Sequence, residues 1–170
     1  MKFVLEDDQR DFAATLDSLL STAGTVAVAR AWADGDHDPG LELWSRLAQL
    51  GVTSLATDAT PVEVVVAFEA LGRHAVPGPW VESAAYLPVA LGHEVDGIAT
   101  VALPPVVPYA LDADVADQVY VGSTPAMSVG DLVVSVDRTR RLFRVGGFET
   151  VPSGTSATID DAFEMAVLAV

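Results

Sequence analysis

Arg138, Arg140, Arg141 and Arg144 are four of the nine basic residues in the chain, set within seven positions of each other. Guanidinium forks match the oxygens of a pyrophosphate or nucleotide phosphate, so such a cluster could receive one. Arginines alternating along an exposed strand also balance local acids and discourage edge pairing, and the acidic surroundings favour that reading. Asp34, Asp36 and Asp38, with His37 between them, imitate the alternating carboxylates of a calcium loop. That loop needs glycine at its sixth position and glutamate at its twelfth. Here Pro39 and Ser45 stand there, so the segment reads as a solvated loop between helices. Asp112, Asp114 and Asp117 likewise read as solvated acids ahead of a strand. His37, His74 and His93 have no second ligand or catalytic partner at a recognisable spacing and read as surface or helix-end residues. Ser123, Ser128 and Ser135 lack a context that would activate a hydroxyl. The residues themselves therefore propose no catalytic group and no metal site.

The elements that must position these residues fall into two textures. The first ninety residues read as helices. Leu5, Phe12, Leu16, Leu19, Leu20 and Ala23 share one stripe at helical spacing, with Gly24 as a stop. Val26 to Trp32 makes a short second helix. Leu43, Trp44, Leu47 and Leu50 form another stripe, ended by Gly51. Thr60-Pro61-Val62-Glu63 is a helix start: Thr60 caps, Pro61 suits the first turn and Glu63 completes a capping box. The following helix, Val62 to Leu71, is apolar on most sides and should be buried. A fifth helix runs from Val81 to Leu91 and ends at Gly92.

From Gly97 short β-rich runs take over: Ile98 to Leu103, Gln118 to Val121, Asp131 to Val136 and Arg141 to Val145. Gly, Pro, Ser and Asp punctuate them, which predicts a small antiparallel sheet or partial barrel. A further helix is expected from Ser156, carrying Ile159, Phe163, Met165, Val167, Leu168 and Val170. It is apolar around most of its circumference and has no C-terminal cap, so it should dock on a further helical domain, a second copy or a partner chain. The expected fold class is α+β: a helical domain over 1–93, a shortened β domain over 94–154, and the start of another helical domain over 155–170.

Composition bounds the function. The chain has 170 residues, with 24 acidic against 9 basic, for a net charge of −15. That charge repels phosphate and makes nucleic acid or an anionic membrane an unsuitable partner. Apolar residues make up 51%, enough to offset the ordering entropy of a folded core. The absence of cysteine excludes disulfides, thiol nucleophiles and Cys-ligated zinc. The longest nearly uncharged stretch, Gly97 to Leu111, is broken by three prolines and too short to span a bilayer. The acidic N-terminus cannot form a signal-peptide core. A cytoplasmic location is expected.

Several strings resemble, in order, the acyl-CoA dehydrogenase family. Glu6-Asp7-Asp8-Gln9-Arg10 looks like that family's opening helix. Leu43-Trp44-Ser45-Arg46-Leu47-Ala48-Gln49-Leu50-Gly51 is similar to its "LW..LAELG" helix. Glu69-Ala70-Leu71-Gly72-Arg73 with Pro77-Gly78-Pro79 is similar to its "EELGR…PGP" segment. Ala110 to Asp117 and Val136 to Leu142 look like middle-domain segments of the shorter, often heteromeric members. The resemblance implies an FAD-dependent oxidoreductase of fatty-acid or lipid metabolism acting on an acyl-CoA substrate, in a homo- or hetero-oligomer with another such chain. In that chemistry a carboxylate base removes the α-proton of the thioester while the β-hydrogen leaves as hydride to flavin N5. The resemblance also places the flavin-facing edge at Ala102, Leu103 and Pro104.

The departures are specific. The family's "YGG" loop is cut away at Ala56 to Thr60. Its Thr-Glu-Pro turn is replaced by Leu103-Pro104-Pro105. Its middle-domain tryptophan has no counterpart, because Trp32, Trp44 and Trp80 all precede that domain. Its catalytic glutamate belongs to a domain this chain does not reach. The alternative implied is a non-catalytic subunit of a heteromeric acyl-CoA dehydrogenase that does not bind flavin by itself.

Overall fold

The computed structural model describes residues 4–146; the expected helix after Ser156 lies outside the described residues. Helix α1 (Asp7–Thr22) and α2 (Thr25–Ala33) are joined at Gly24, whose positive φ of 65° turns the chain between them. Helix α3 (Asp38–Gln49) follows, then a single turn, α4 (Leu55–Asp58), and α5 (Pro61–Arg73). A π-helical turn over Glu82–Tyr86 runs directly into α6 (Leu87–Leu91).

The α5 start is built as its sequence predicts. Pro61 sits in the first turn, and Glu63 accepts a hydrogen bond from the Thr60 N–H at 3.0 Å. Glu63 also accepts from Gln9 Nε2 at 3.1 Å, tying the start of α1 to the start of α5. These bonds hold the Glu63 carboxyl below the usual carboxylate range, the Thr60 hydroxyl contributing most. At the other end of α5, His74 Nε2 meets Asp17 Oδ1 at 2.8 Å. Helices α1 and α5 are thus pinned at both ends.

Between them lies the main core. Leu16, Leu20, Leu43, Leu47, Val52, Ala67, Phe68 and Leu71 are buried together, with Trp44 stacked on Trp80 at 3.7 Å between ring centroids. Gly78 lies against this stack with a φ of 113°, a backbone conformation that favours glycine. A methyl group at Gly40 would overlap the buried Trp32 ring, so α2 and α3 meet through that glycine.

Two three-stranded sheets follow. The first has the order β1 (Ala99–Ala102), β3 (Gln118–Val121), β4 (Thr124–Pro125). The second has the order β2 (Tyr109–Leu111), β6 (Leu142–Gly146), β5 (Ser128–Val133). The fold is α+β, helices first and sheets second. Strand pairing is mostly antiparallel, but β1 and β3 run parallel, with Ala99 opposite Gln118 and Ala102 opposite Val121. Parallel pairing needs a crossover, and here residues 103–117, including β2, supply it. Strand β5 begins three residues before the expected Asp131 and ends at Val133, because Asp137 and Thr139 close a turn instead: Asp137 Oδ1 accepts from Thr139 N at 2.8 Å.

Sheet one packs on the helices through Tyr86, Leu87, Ala99, Val101 and Tyr120. The Ala99 N–H, at the start of β1, donates to Ser83 Oγ on the π-turn at 3.0 Å. A smaller core of Ala102, Ala110, Ala113 and Val145 lies where the end of β1 meets sheet two. Among the described residues no single helix is long and apolar enough to cross a membrane.

Candidate functional site

The strand end expected to face flavin is closed upon itself. Ala102 is fully buried in β1, and its carbonyl accepts the Gly122 N–H at 3.0 Å. Leu103 N–H donates to the Val107 carbonyl at 2.6 Å, and the Leu103 carbonyl accepts the Val107 N–H at 2.8 Å. Pro104, joined to Pro105 by a cis peptide, has no N–H to offer. Ala102, Leu103 and Pro104 therefore present neither a free backbone donor nor a polar side chain, and they do not fit the group the resemblance places there.

The arginine cluster is consumed largely within the molecule. Arg138 pairs with Asp34 at 3.0 Å across the surface. Arg144 lies over the Tyr109 ring, 5.9 Å from its centroid. Arg141 is nearly buried and joins the two halves of the protein. Its Nε donates to Asp112 Oδ1 at 3.1 Å and its Nη1 to Asp114 Oδ2 at 2.8 Å. The same Nη1 meets His37 Nε2, and the guanidinium covers the Trp32 ring at 5.3 Å. Trp32 Nε1 donates to Asp112 Oδ1 at 3.3 Å.

This joint corrects two sequence expectations. Asp112 is not a solvated acid: it has no exposed surface, and it adopts a positive φ of 50° that turns its carboxylate toward Arg141. His37 is not partnerless, since the Asp34–Asp38 loop is carried against Arg141. Burial pushes the Asp112 carboxyl up, opposed by Arg141 and the Trp32 hydrogen bond. Burial and the adjacent Arg141 charge push the His37 imidazole down, opposed by Asp114, Asp36 and Asp38. His37 in its neutral form accepts from Arg141, so the lowered value and the contact have the same cause. The remaining acids serve locally. Among the described residues no cluster of three metal-ligating side chains forms, and Asp117 Oδ2 accepts the Ile98 N–H at 2.9 Å ahead of β1. His74 is the helix-end residue its position suggests, at the C-cap of α5, and His93 is exposed, bonded to the Glu94 carbonyl.

Beside the joint lies a cavity of about 270 Å³ between the end of α5, the Ala75–Val81 turn and the β5–β6 loop. Phe68, Leu71 and Trp80 wall it, and Asp112, Asp137 and Arg140 supply its polar side. The Arg140 guanidinium makes no ion pair among the described residues. Sequence reading missed this cavity because its walls come from three separated segments. The burial of Asp112 did leave a signal, in its apolar neighbours Ala110, Leu111 and Ala113.

Comparison with family models, with curated proteins and with solved structures gives no match to this chain.

Proposed function

We propose that this chain is a structural subunit of a heteromeric acyl-CoA dehydrogenase, shaping the assembly and its acyl pocket while a partner chain holds the FAD and the catalytic base. The ordered strings from Glu6 to Leu142 support the family reading, and the helices-then-sheets layout agrees with it. One observation favours the structural role over flavin chemistry by the chain itself: the Leu103 peptide is bonded on both sides to Val107, at the position where a flavin contact is expected. The inward use of Arg138 and Arg141 points the same way, because guanidinium groups neutralised by Asp34, Asp112 and Asp114 are unavailable to a pyrophosphate.

The experiment is a visible absorption spectrum after gel filtration with excess FAD, of this chain alone and co-expressed with its neighbouring gene products. The structural role predicts a colourless chain alone and a yellow complex oxidising acyl-CoA thioesters. Stoichiometric flavin on the chain alone would instead make it part of a flavin-dependent α,β-dehydrogenating enzyme in its own right.

A further inference from the structure

Helices α1 and α5 close their first turns with capping boxes, whereas α2 begins at Gly24, which has no side chain to offer and makes no cap hydrogen bond. The N–H groups at the front of a helix lack intrahelical acceptors. The Ala27 N–H turns back to the Gly24 carbonyl at 2.8 Å, while those of Thr25 and Val26 have no acceptor among the described residues. Free N–H groups at a helix start carry partial positive charge and suit an anion.

Every helix has such a start, and three further features single this one out. A groove of about 400 Å³ runs over it, between the end of α1, the first turn of α2 and His74. Thr25 lines that groove although it is only 6% exposed, and its hydroxyl has no hydrogen-bond partner among the described residues. Holding a hydroxyl in so buried a side chain without a partner is unfavourable, so a ligand oxygen there would remove a cost rather than displace a bond. Arg30 lines the same groove and makes no ion pair among the described residues. It stands four residues after Val26 on the same helix face, and helical side chains lean toward the N-terminus, which carries its guanidinium back toward the free N–H groups. No carboxylate lines the groove, in a chain with 24 of them. Asp17, the acid bonded to His74 at 2.8 Å, also faces Arg73 at 3.8 Å and is thereby neutralised.

We propose that this groove binds the phosphate group of a small metabolite. The Thr25 and Val26 N–H groups and the Thr25 hydroxyl donate to its oxygens, and Arg30 supplies the opposing charge. Phosphate suits the site better than a carboxylate does, because several converging donors and a guanidinium match an ion with three strong acceptor oxygens and nearly two charges. The net charge of −15 repels such an ion at range, but salt screens exposed charges beyond about 8 Å, and at contact the local groups decide. The inference is independent of the acyl-CoA dehydrogenase reading.

The test is a titration of the full chain with inorganic phosphate and, separately, with phenyl phosphate, at an ionic strength held constant with sodium chloride and followed by amide chemical shifts. Saturable shifts at Thr25, Val26 and Ala27 are expected. Tighter binding of phenyl phosphate would identify a monoester as the source of the group, and binding no tighter would identify the free ion. Arg30→Gln, at an exposed position, should weaken binding about tenfold, the loss expected for a hydrogen bond to a charged group, and Thr25→Val should do the same. Ala27→Glu puts a carboxylate into the first turn, where the helix dipole favours it, so that variant should be at least as stable to urea and bind no phosphate. No saturable shift at the three amides, or saturation that Arg30→Gln and Ala27→Glu leave unchanged, would overturn the proposal.

Discussion

The helical half and the sheet half bury their apolar residues in very different ways. The helical core draws leucines, tryptophans and phenylalanine from α1, α3, α5 and the turn before α6, and Leu16 and Leu47 have no exposed surface at all. The outer sheet meets the end of β1 around Ala102, Ala110, Ala113 and Val145, side chains too small to bury much area. At about 25 cal/mol per Å² of apolar surface, large side chains dominate the stabilisation, so the helices carry most of it. The sheet is held to them by specific contacts: the Ser83 bond to β1 and the joint of Trp32, His37, Asp112 and Arg141.

Breaking the clamp should have the largest effect. Arg141→Ala leaves Asp112 buried without its cation, and losing one partner of a buried pair costs about 3–5 kcal/mol. The exposed Arg138–Asp34 pair, by contrast, is worth about 0–1 kcal/mol, so Arg138→Ala should barely move a urea transition. Leu47→Ala tests the helical half directly. Truncating a fully buried leucine costs about 2–5 kcal/mol, and the loss should appear equally in helical and sheet probes if the sheet depends on the helices. Thr60→Ala removes the α5 cap and should cost about 1 kcal/mol, read as a lower urea midpoint at unchanged slope.

The smallest effect is a pH dependence. The folded His37 pKa lies below 6.5, so the unfolded chain takes up a proton first. Stability contributed by neutral His37 is complete above 6.5 and is lost as pH falls through that value toward the lowered one. His37→Gln should flatten the stability profile over that interval, with Asp112, Asp114, Asp36 and Asp38 unchanged around it. An unaltered slope would remove His37 from the clamp.

How much of this was legible in the sequence follows the range of the interactions involved. The Thr60–Glu63 cap, the Leu16–Leu20 and Leu43–Leu47 stripes and the stop at Gly24 are local, set by neighbours three or four residues apart, and all are present in the fold. The one-turn helix Leu55–Asp58 was not foreseen, since four residues carry no period. The parallel β1–β3 pair departs from the small antiparallel sheet or partial barrel expected, because pairing direction is decided by the crossover between strands rather than within them. Asp112 and Arg141 each looked solvated alone; their burial follows from meeting across 29 positions, with Trp32 from the helical half closing over both. The arginine cluster was legible as composition, and its partners came only from topology.

The central contrast can be measured in one experiment: residue-resolved native-state hydrogen exchange of the full chain in low denaturant. Amides of α1, α3 and α5 should exchange only through global unfolding, while amides of β2, β5 and β6 should exchange through a smaller opening of lower free energy, lowered further by Arg141→Ala. Sheet and helix amides sharing one exchange free energy, unmoved relative to each other by Arg141→Ala, would contradict the account.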